Sequence, residues 1–314
     1  MGDFLKHMHY YYFNGLYIKS DIALAPLNSL ATIEPDVTIR LAKVATTLVN
    51  PVQQEITFML KRNEALIRLP GVGRFLITDG NSILMELESD CPLNDLSPFI
   101  LSIAWAALSY QRGRNLLKGA LVELNKKVWL ISGISPVGSS TFALALQKYL
   151  GSTVISDEFC SYYHTEEGIM VDPGIPALKL WQNSLEYFDI DCENLCRIRA
   201  QLNKFWLSLP TNNFSLNSVI NRSLKLAGII SLQEWRSDEV APQGIQQIKG
   251  FKALKKTFYH GFHRVYLNGQ DNEQQKFEEG LQLAQHCKLA TFTFKRGMNS
   301  LRENCQHLQE QLIK

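Results

Sequence analysis

The amino-acid sequence predicts an α/β protein, and three observations lead to that class. Residues 127–158 have the pattern strand, glycine-rich loop, helix, strand, which is a βαβ unit with phosphate-binding topology. The C-terminal third alternates strand-like and helix-like runs. The first ninety or so residues are rich in aromatic and β-branched side chains separated by turn signals. We therefore expect a small β-rich region at residues 1–93 and a larger α/β domain at residues 94–314.

The β-rich region is predicted from short strand patterns joined by tight turns. "YYYFNGLYIKS" and "DVTIRLAKV" mix aromatic, β-branched and polar residues at strand-like spacing. "EALIRLPGVGRFLITDGNSILMELES" predicts three strands, which are broken at a Pro-Gly and an Asp-Gly turn. Its "GVGRF" segment resembles part of a dinucleotide-binding fingerprint, but no helix pattern follows it, so we expect a tight turn there.

A buried helix, a β-hairpin and the central unit follow in order. "LSPFILSIAWAALSYQRG" predicts a helix that starts at Ser97-Pro98 and stops at Gly113. "GALVEL" and "KVWLISG" predict two strands that are joined by a two-residue Asn-Lys turn. "TFALALQKYLG" predicts a helix that ends at its glycine, and "STVIS" predicts a buried strand that ends in "DEF".

The C-terminal third supplies the remaining elements of the α/β domain. "AGIISLQEWR" and "LATFTFKR" have strand patterns. Helices are predicted near "GIQQIKGFKALKKTF", in "NEQQKFEEGLQLAQHCK" and in the final run "SLRENCQHLQEQLIK".

The composition argues against several classes of partner. The net charge is +2 and charged residues are 20% of the chain, which gives no general case for binding nucleic acid or an anionic membrane. The most apolar window, "FILSIAWAALSY", is too short to span a bilayer, and the first residues are too polar for a secretory signal. The six cysteines form no zinc-type pattern, which predicts reduced thiols in a cytoplasmic protein. His260 and His263 lack a third ligand nearby in sequence, so we expect ordinary partly buried histidines.

The stretch "SGISPVGSST" has the outline of a phosphate-binding loop. Gly133 and Gly138 have the spacing of the two loop glycines, and Ser140 stands at the position whose hydroxyl binds Mg²⁺, with Thr141 next to it. Such a loop surrounds phosphates with backbone N–H groups and aims a helix N-terminus at them. Ser139, however, stands where the loop lysine belongs.

Two interpretations of this loop remain open from the residues alone. Pro136 removes one N–H from the cradle, and an ordinary strand-to-helix turn with Ser140 as the helix cap would give the same pattern. The acidic pair Asp157-Glu158 at the predicted end of the next strand favours the phosphate site, because a metal or a general base is needed beside a phosphate loop.

Several stretches in order resemble the HPr serine kinase-like family. They are "GLYIKSDIALAPL", "LPGVGRFLITDG", "KGALVEL", "WLISGISPVGSST", "VISDEFC", "PGIPALKLWQNSLEYFDID" and "RIRAQLNKFWLSLP". The family includes the bacterial HPr kinase/phosphorylases and shorter kinase-like proteins encoded with lasso-peptide pathways. "PGIPALKLW" is the most specific piece, and the last fifty residues fit only in outline. The resemblance implies a phosphate-loop kinase core of the HPr kinase and phosphoenolpyruvate carboxykinase type, behind a small β-rich N-terminal region.

The resemblance also implies roles for individual residues. Asp157 matches the catalytic aspartate, and Glu158 stands at the adjacent acidic position, where it would assist at the metal. Lys179 in "ALKLW" and Lys204 in "LNKFW" match basic positions of the pattern and would lie near phosphate or substrate. The loop positions that carry over for cofactor binding are Gly133, Ser135, Gly138, Ser140 and Thr141, with Ser139 in place of the lysine.

Two departures from the family pattern bear on activity. Ser139 replaces the loop lysine, and Lys118 replaces a histidine in "LKGALVEL". Counting outward from the predicted Asn-Lys turn places Lys118 opposite Gly133, at the mouth of the loop. We therefore hypothesise that Lys118 supplies the missing positive charge; an exposed lysine at a strand end is the alternative.

The resemblance implies two candidate functions. The first is an ATP- and Mg²⁺-dependent kinase that transfers the γ-phosphate to a serine hydroxyl of a protein or precursor peptide. The second is a catalytically degenerate pseudokinase that serves as a nucleotide-binding or partner-binding module. Either would be a cytoplasmic protein with no nucleic-acid or membrane partner. Some family members form hexamers, so the resemblance also allows a homo-oligomer.

Overall fold

The computed structural model describes residues 8–133, 137–209, 223–235, 244–270, 273–295 and 297–313. The chain forms two compact units. The first comprises Met1–Leu116, Ile198–Gln201 and Phe262–Gln274, and the second comprises Leu117–Arg197, Leu202–Gly261 and Gln275–Lys314. Residues 94–116 therefore group with the β-rich part of the chain, and the predicted domain boundary at residue 93 stays a prediction.

The first unit contains an eight-stranded sheet with the order β1-β2-β3-β8-β7-β6-β5-β4. Asn14-Gly15 forms the first hairpin turn, and the three predicted strands of the 64–87 segment pair as a meander. Alternating apolar residues of these strands are buried, as a half-buried sheet requires. Its strands are β1 (His9–Phe13), β2 (Leu16–Ser20), β3 (Val37–Leu41), β4 (Gln53–Gln54), β5 (Phe58–Lys61), β6 (Glu64–Leu69), β7 (Gly73–Thr78) and β8 (Ser82–Leu87).

A buried helical run completes the first unit. It consists of α1 (Ser97–Phe99), a π-helical stretch (Ile100–Ala104) and α2 (Trp105–Gln111). Gly113, with φ +70°, follows its end, so the predicted start and stop are confirmed. The indole of Trp105 is fully buried and packs edge-on against Phe13 at 4.8 Å between ring centroids. Short 3₁₀ turns lie at Leu93–Asp95 and Arg264–Gln270.

The second unit is built on a mixed sheet with the order β11-β10-β12-β13-β16-β18-β17. β9 pairs with β12, β11 also pairs in parallel with β16, and β14 and β15 form a separate two-stranded sheet. The strands are β9 (Asn115–Lys118), β10 (Ala120–Leu124), β11 (Lys127–Gly133), β12 (Thr153–Thr165), β13 (Gly168–Ile175), β14 (Ala177–Trp181), β15 (Lys204–Ser208), β16 (Leu224–Trp235), β17 (Gly244–Gln247) and β18 (Lys288–Lys295).

Helices cover both faces of this sheet, which gives the layers of an α/β domain. The helices are α3 (Ser139–Leu150), α4 (Gln182–Tyr187), α5 (Gly250–Tyr259), α6 (Glu273–His286) and α7 (Leu301–Ile313), and a 3₁₀ turn (Met298–Ser300) precedes the last. One core joins α3, α7 and the β14–β15 sheet through residues such as Phe142, Leu308 and Leu180. The other core joins α5 and α6 through Ala253 and Leu283. The β14–β15 sheet therefore packs on the same face of the large sheet as α3.

The predicted α/β class is confirmed, and two element predictions are wrong. "STVIS" does not end at "DEF", because β12 continues through Asp157-Glu158 to Thr165. "GIQQ" is the short strand β17 on the edge of the sheet, so the predicted helix begins only at Gly250. The six cysteines, all within the described residues, are free thiols. Among the described residues, no helix has the length and apolarity needed to cross a membrane.

Candidate active site

Two glycines flank the segment between β11 and α3. A side chain at Gly133 would collide with Val137, since a Cβ there would lie 2.2 Å from its Cγ1. Gly138 has φ +81° and is the N-cap of α3, a backbone conformation that favours glycine. The first helical hydrogen bond runs from the N–H of Phe142 to the carbonyl of Gly138. The N–H groups before Phe142 in the first turn therefore have no acceptor within the helix. Ser135 lies outside the described residues.

The predicted metal-binding serine lies close to the predicted catalytic aspartate. Ser139 is the first residue of α3, and the hydroxyl of Ser140, the next residue, lowers the pKa of the Asp157 carboxyl group. Thr141 Oγ1 lies 3.1 Å from the Ser184 hydroxyl of α4, which anchors the first turn of the helix. Gly138 is the N-cap of α3, so Ser140 is not the helix cap that the alternative interpretation required.

A β-bulge in β12 carries the two acidic residues Asp157 and Glu158. The pairing of β12 with β13 shifts register between Asp157 and Cys160, and Glu158 has φ +73°, a conformation uncommon for a non-glycine residue. Gly174 on β13 makes room for the bulge, because a Cβ there would lie 2.0 Å from the carbonyl oxygen of Phe159. The bulge takes the place of the strand end that the sequence predicted at these residues.

Lys179 on β14 contacts both carboxylates of the bulge. Its backbone N–H donates to Asp157 Oδ2 at 3.1 Å, and its ammonium forms an ion pair with Glu158. The Nζ atom also lies 4.9 Å from the centre of the Trp206 ring. Burial lowers the pKa of Lys179 to about 7, the Asp157 charge opposes that change and the Lys204 ammonium adds to it.

Asp157 itself is almost fully buried, with 2% of its surface exposed. Burial raises the pKa of its carboxyl group above the ordinary value, while the Lys179 N–H and the Ser140 hydroxyl oppose the rise. A buried carboxylate with a raised pKa is a better proton acceptor than an exposed one. The predicted catalytic residue is thus an acidic group whose pKa is changed by burial and by specific partners, as is common at functional sites.

Lys204 begins β15 and interacts with the same group of charges. Burial lowers its pKa, with the Asp157 charge opposing the change and Lys118 adding to it. Its Nζ atom lies 5.2 Å from the centre of the Trp181 ring. Lys179 and Lys204 therefore both interact with one buried carboxylate, and Lys118 interacts with Lys204, which gives a cluster of positive charge suited to an anionic ligand.

Lys118 lies near its predicted place, but on a different strand. The β10–β11 hairpin has the predicted Leu124↔Lys127 register and its pairing ends at Ala120↔Ile131. Gly119, with φ +150°, interrupts the strand, and Lys118 is the last residue of β9. Its carbonyl nevertheless accepts a hydrogen bond of 2.5 Å from the hydroxyl of Ser132, beside the first loop glycine.

His260 contacts both the backbone of Lys118 and the side chain of Ser132. Its backbone carbonyl accepts the N–H of Lys118 at 2.6 Å, and its Nδ1 lies 2.8 Å from the Ser132 hydroxyl. Burial lowers the pKa of His260 to about 3, so the ring is neutral at neutral pH. His260 is thus buried and His263 is exposed, whereas the sequence predicted that both would be partly buried. In the described residues, no group of three or more His, Cys, Asp and Glu side chains could hold a metal ion unaided.

The sequence did not lead us to predict a role for the tryptophans of the β14–β15 sheet. The antiparallel register pairs Lys179 with Trp206 and Trp181 with Lys204, which places all four side chains on one face. A sequence signal for this was present, because "KLW" and "KFW" repeat the same lysine-x-tryptophan spacing. On two paired antiparallel strands, that spacing gives each lysine an aromatic neighbour across the strands.

Comparison with known proteins finds similarity to solved structures alone. No protein-family model matches the chain, and no curated protein matches it. Among solved structures, the chain is similar to the HPr(Ser) kinase/phosphatase of Coxiella burnetii, with 10% sequence identity and a TM-score of 0.36. That alignment covers 63% of this chain and 90% of the other. What the site can do therefore has to follow from its own residues.

Proposed function

We propose that the chain is an ATP- and Mg²⁺-dependent kinase that phosphorylates a serine hydroxyl of a protein or peptide. The observation that carries the proposal is the closeness of the Ser140 hydroxyl, in the first turn of α3, to the buried carboxylate of Asp157, whose pKa it lowers. A hydroxyl at the start of a helix beside carboxylates from a neighbouring strand supplies the oxygens that hold Mg²⁺ in phosphate-loop enzymes. The family resemblance of the surrounding motifs supports the same activity.

The residues of this site fit a magnesium ion that arrives with a nucleotide. Mg²⁺ is usually held by one or two carboxylates together with substrate phosphates and water, rather than by a cage of protein ligands. Ser140 and Glu158 offer two oxygen ligands, and Glu158 would be available once it released Lys179. When bound, ATP supplies the phosphoryl group and Mg²⁺ neutralises charge on its oxygens.

The protein's own groups divide the remaining work. Gly133, Gly138 and the first-turn N–H groups of α3 would bind phosphate oxygens, with Ser135 and Thr141 in the same loop. Asp157 would accept the proton of the substrate hydroxyl. Lys118, Lys179 and Lys204 would provide the charge that Ser139 cannot supply. Catalysis would rest on positioning and charge neutralisation, without a covalent enzyme intermediate.

A second candidate function, a pseudokinase, has its own support. Ser139 leaves the loop without its lysine, and the ammonium of Lys179 is already paired with Glu158. If that ion pair persisted when nucleotide bound, neither the cation nor the second carboxylate would serve the reaction. The site would then bind nucleotide without transferring phosphate.

Two measurements on the full chain separate these functions. The first is the thermal unfolding midpoint with and without millimolar ATP and Mg²⁺, because a ligand that binds the native state raises the midpoint. The second is transfer of labelled γ-phosphate to serine-containing peptides. A raised midpoint with transfer supports the kinase, and a raised midpoint without transfer to any acceptor supports the pseudokinase. An unchanged midpoint would contradict the kinase and the nucleotide-binding form of the pseudokinase, and would leave a partner-binding module.

A further inference from the structure

Trp181 is the one tryptophan of the chain that is strongly exposed. Trp181 is 50% exposed, whereas Trp206 on the same face of the β14–β15 sheet is 3% exposed and Trp105 is fully buried. Large aromatic side chains gain free energy from burial, so a half-exposed indole beside a functional site calls for a ligand. The five tryptophans all belong to the described residues.

The exposed ring is continuous with the cationic side of the site. Lys204 lies 5.2 Å from the centre of the Trp181 ring, and its charge also interacts with that of Asp157. Lys179 is two residues from Trp181 on the same face of β14, about 7 Å along the strand. A single ligand could therefore reach both the ring and the ammonium groups.

A nucleotide carries the two kinds of group that would complement this surface. It joins a flat aromatic base to a strongly anionic phosphate chain, and the surface offers an open aromatic ring next to buried lysines. The Lys204 ammonium covers one face of the indole, and a ring has two faces. Bases stack on aromatic side chains with little dependence on which base is present.

Resting on the proposed function, we infer that Trp181 stacks against the base of the bound nucleotide, with Lys204 bridging toward the phosphates. The ring would form a subsite for the nucleotide base on the β14–β15 sheet, separate from the glycine loop. Because the contact is stacking, ATP and GTP should bind with similar affinity, and both should bind more tightly than inorganic tripolyphosphate.

The test is calorimetric titration of the full chain with a non-hydrolysable ATP analogue and with tripolyphosphate, both in Mg²⁺. Trp181→Ala should weaken binding of the analogue by about 10- to 100-fold and leave the tripolyphosphate affinity unchanged. Trp181→Phe should retain most of the affinity for the analogue. Tyr163→Ala removes another exposed aromatic ring from the same unit and should alter neither affinity.

Each other outcome overturns the inference in a recognisable way. Unchanged binding of the analogue by Trp181→Ala would remove the base subsite and leave the proposed function standing. An equal loss for both ligands would show that Trp181 acts through Lys204 or the fold. A higher KM for an acceptor peptide, with unchanged nucleotide affinity, would assign the ring to the acceptor. If wild type binds neither ligand, the proposed function and this inference both fall.

Discussion

The hydroxyl of Ser140 lies close to the carboxylate of Asp157 and lowers its pKa, which relates the first turn of α3 to the bulge of β12. The two residues are 17 positions apart and belong to the two elements that follow the glycine loop. The backbone N–H of Lys179 on β14 donates a hydrogen bond to the same carboxylate. Asp157 therefore interacts with the start of a helix and with a neighbouring strand together.

Replacing Asp157 by asparagine should abolish phosphate transfer without unfolding the protein. Asparagine can still accept the Lys179 N–H, but it cannot take up the substrate proton, and loss of a general base reduces rates by about 10²–10⁴-fold. The unfolding midpoint at neutral pH should not fall, because a buried charge is removed. Labelled phosphate transfer and thermal unfolding check both points. Glu166→Gln, at the exposed hairpin tip, is the control, and equal activity in the two variants would contradict the role of Asp157.

Replacing Lys118 by alanine should weaken nucleotide binding. Lys118 is held beside the first loop glycine by Ser132 and His260, and its charge reaches Lys204. Losing one charged contact to a phosphate should reduce affinity by about tenfold or more. Calorimetric titration with an ATP analogue measures the change. Lys127→Ala removes an exposed lysine from β11 and should bind like wild type; if Lys118→Ala also does so, Lys118 does not replace the loop lysine.

Replacing Gly174 by alanine should destabilise the bulge that carries Asp157 and Glu158. The added Cβ would lie 2.0 Å from the Phe159 carbonyl oxygen, so the two strands must separate. We expect a loss of about 3 kcal/mol in the free energy of unfolding, at the upper end of overpacking effects. Gly151→Ala is the matched control, since it has positive φ but open space and should lose about 1 kcal/mol. Urea unfolding gives both values, and similar losses would argue against a crowded bulge.

Acid should destabilise the second unit through His260. Its pKa is lowered to about 3 in the folded state, so between pH 6.5 and 3 the unfolded chain binds a proton that the folded chain does not. Stability is therefore present at neutral pH and is lost as the pH falls, by about 2 kcal/mol between pH 7 and 5.

The pH effect is measured by urea unfolding of wild type and His260→Asn at several pH values. The variant should lose less stability than wild type between pH 7 and 5, because it has no imidazole to protonate. His164→Asn, which removes an exposed imidazole on β12, is the control. Parallel curves for wild type and His260→Asn would refute the assignment.

The α/β class and most elements could be predicted because their signals are local. The strand before the glycine loop, the helix after it and the hairpin turn at Asn125-Lys126 each follow from apolar periodicity and turn residues. "GIQQ" was predicted as helix because its pattern is short and polar. Its pairing with β18 on the sheet edge decides its conformation, and that contact is not visible in the sequence.

The composition of the site was predictable in part, and its geometry was not. Glycine spacing and the acidic pair indicate the loop and Asp157. The bulge at Glu158 depends on the space over Gly174, and the convergence of Lys179 and Lys204 depends on the β14–β15 register. Both are consequences of pairing between distant segments, which a single sequence does not reveal.

The most direct test of the central claim is the affinity of a non-hydrolysable ATP analogue, measured by calorimetry with and without Mg²⁺, for wild type and Ser140→Ala. If Ser140 helps to hold the metal of a bound nucleotide beside Asp157, Mg²⁺ should raise the wild-type affinity about tenfold or more, and the variant should lose most of that gain. An equal gain in both proteins, or no binding by wild type in either condition, would contradict the account.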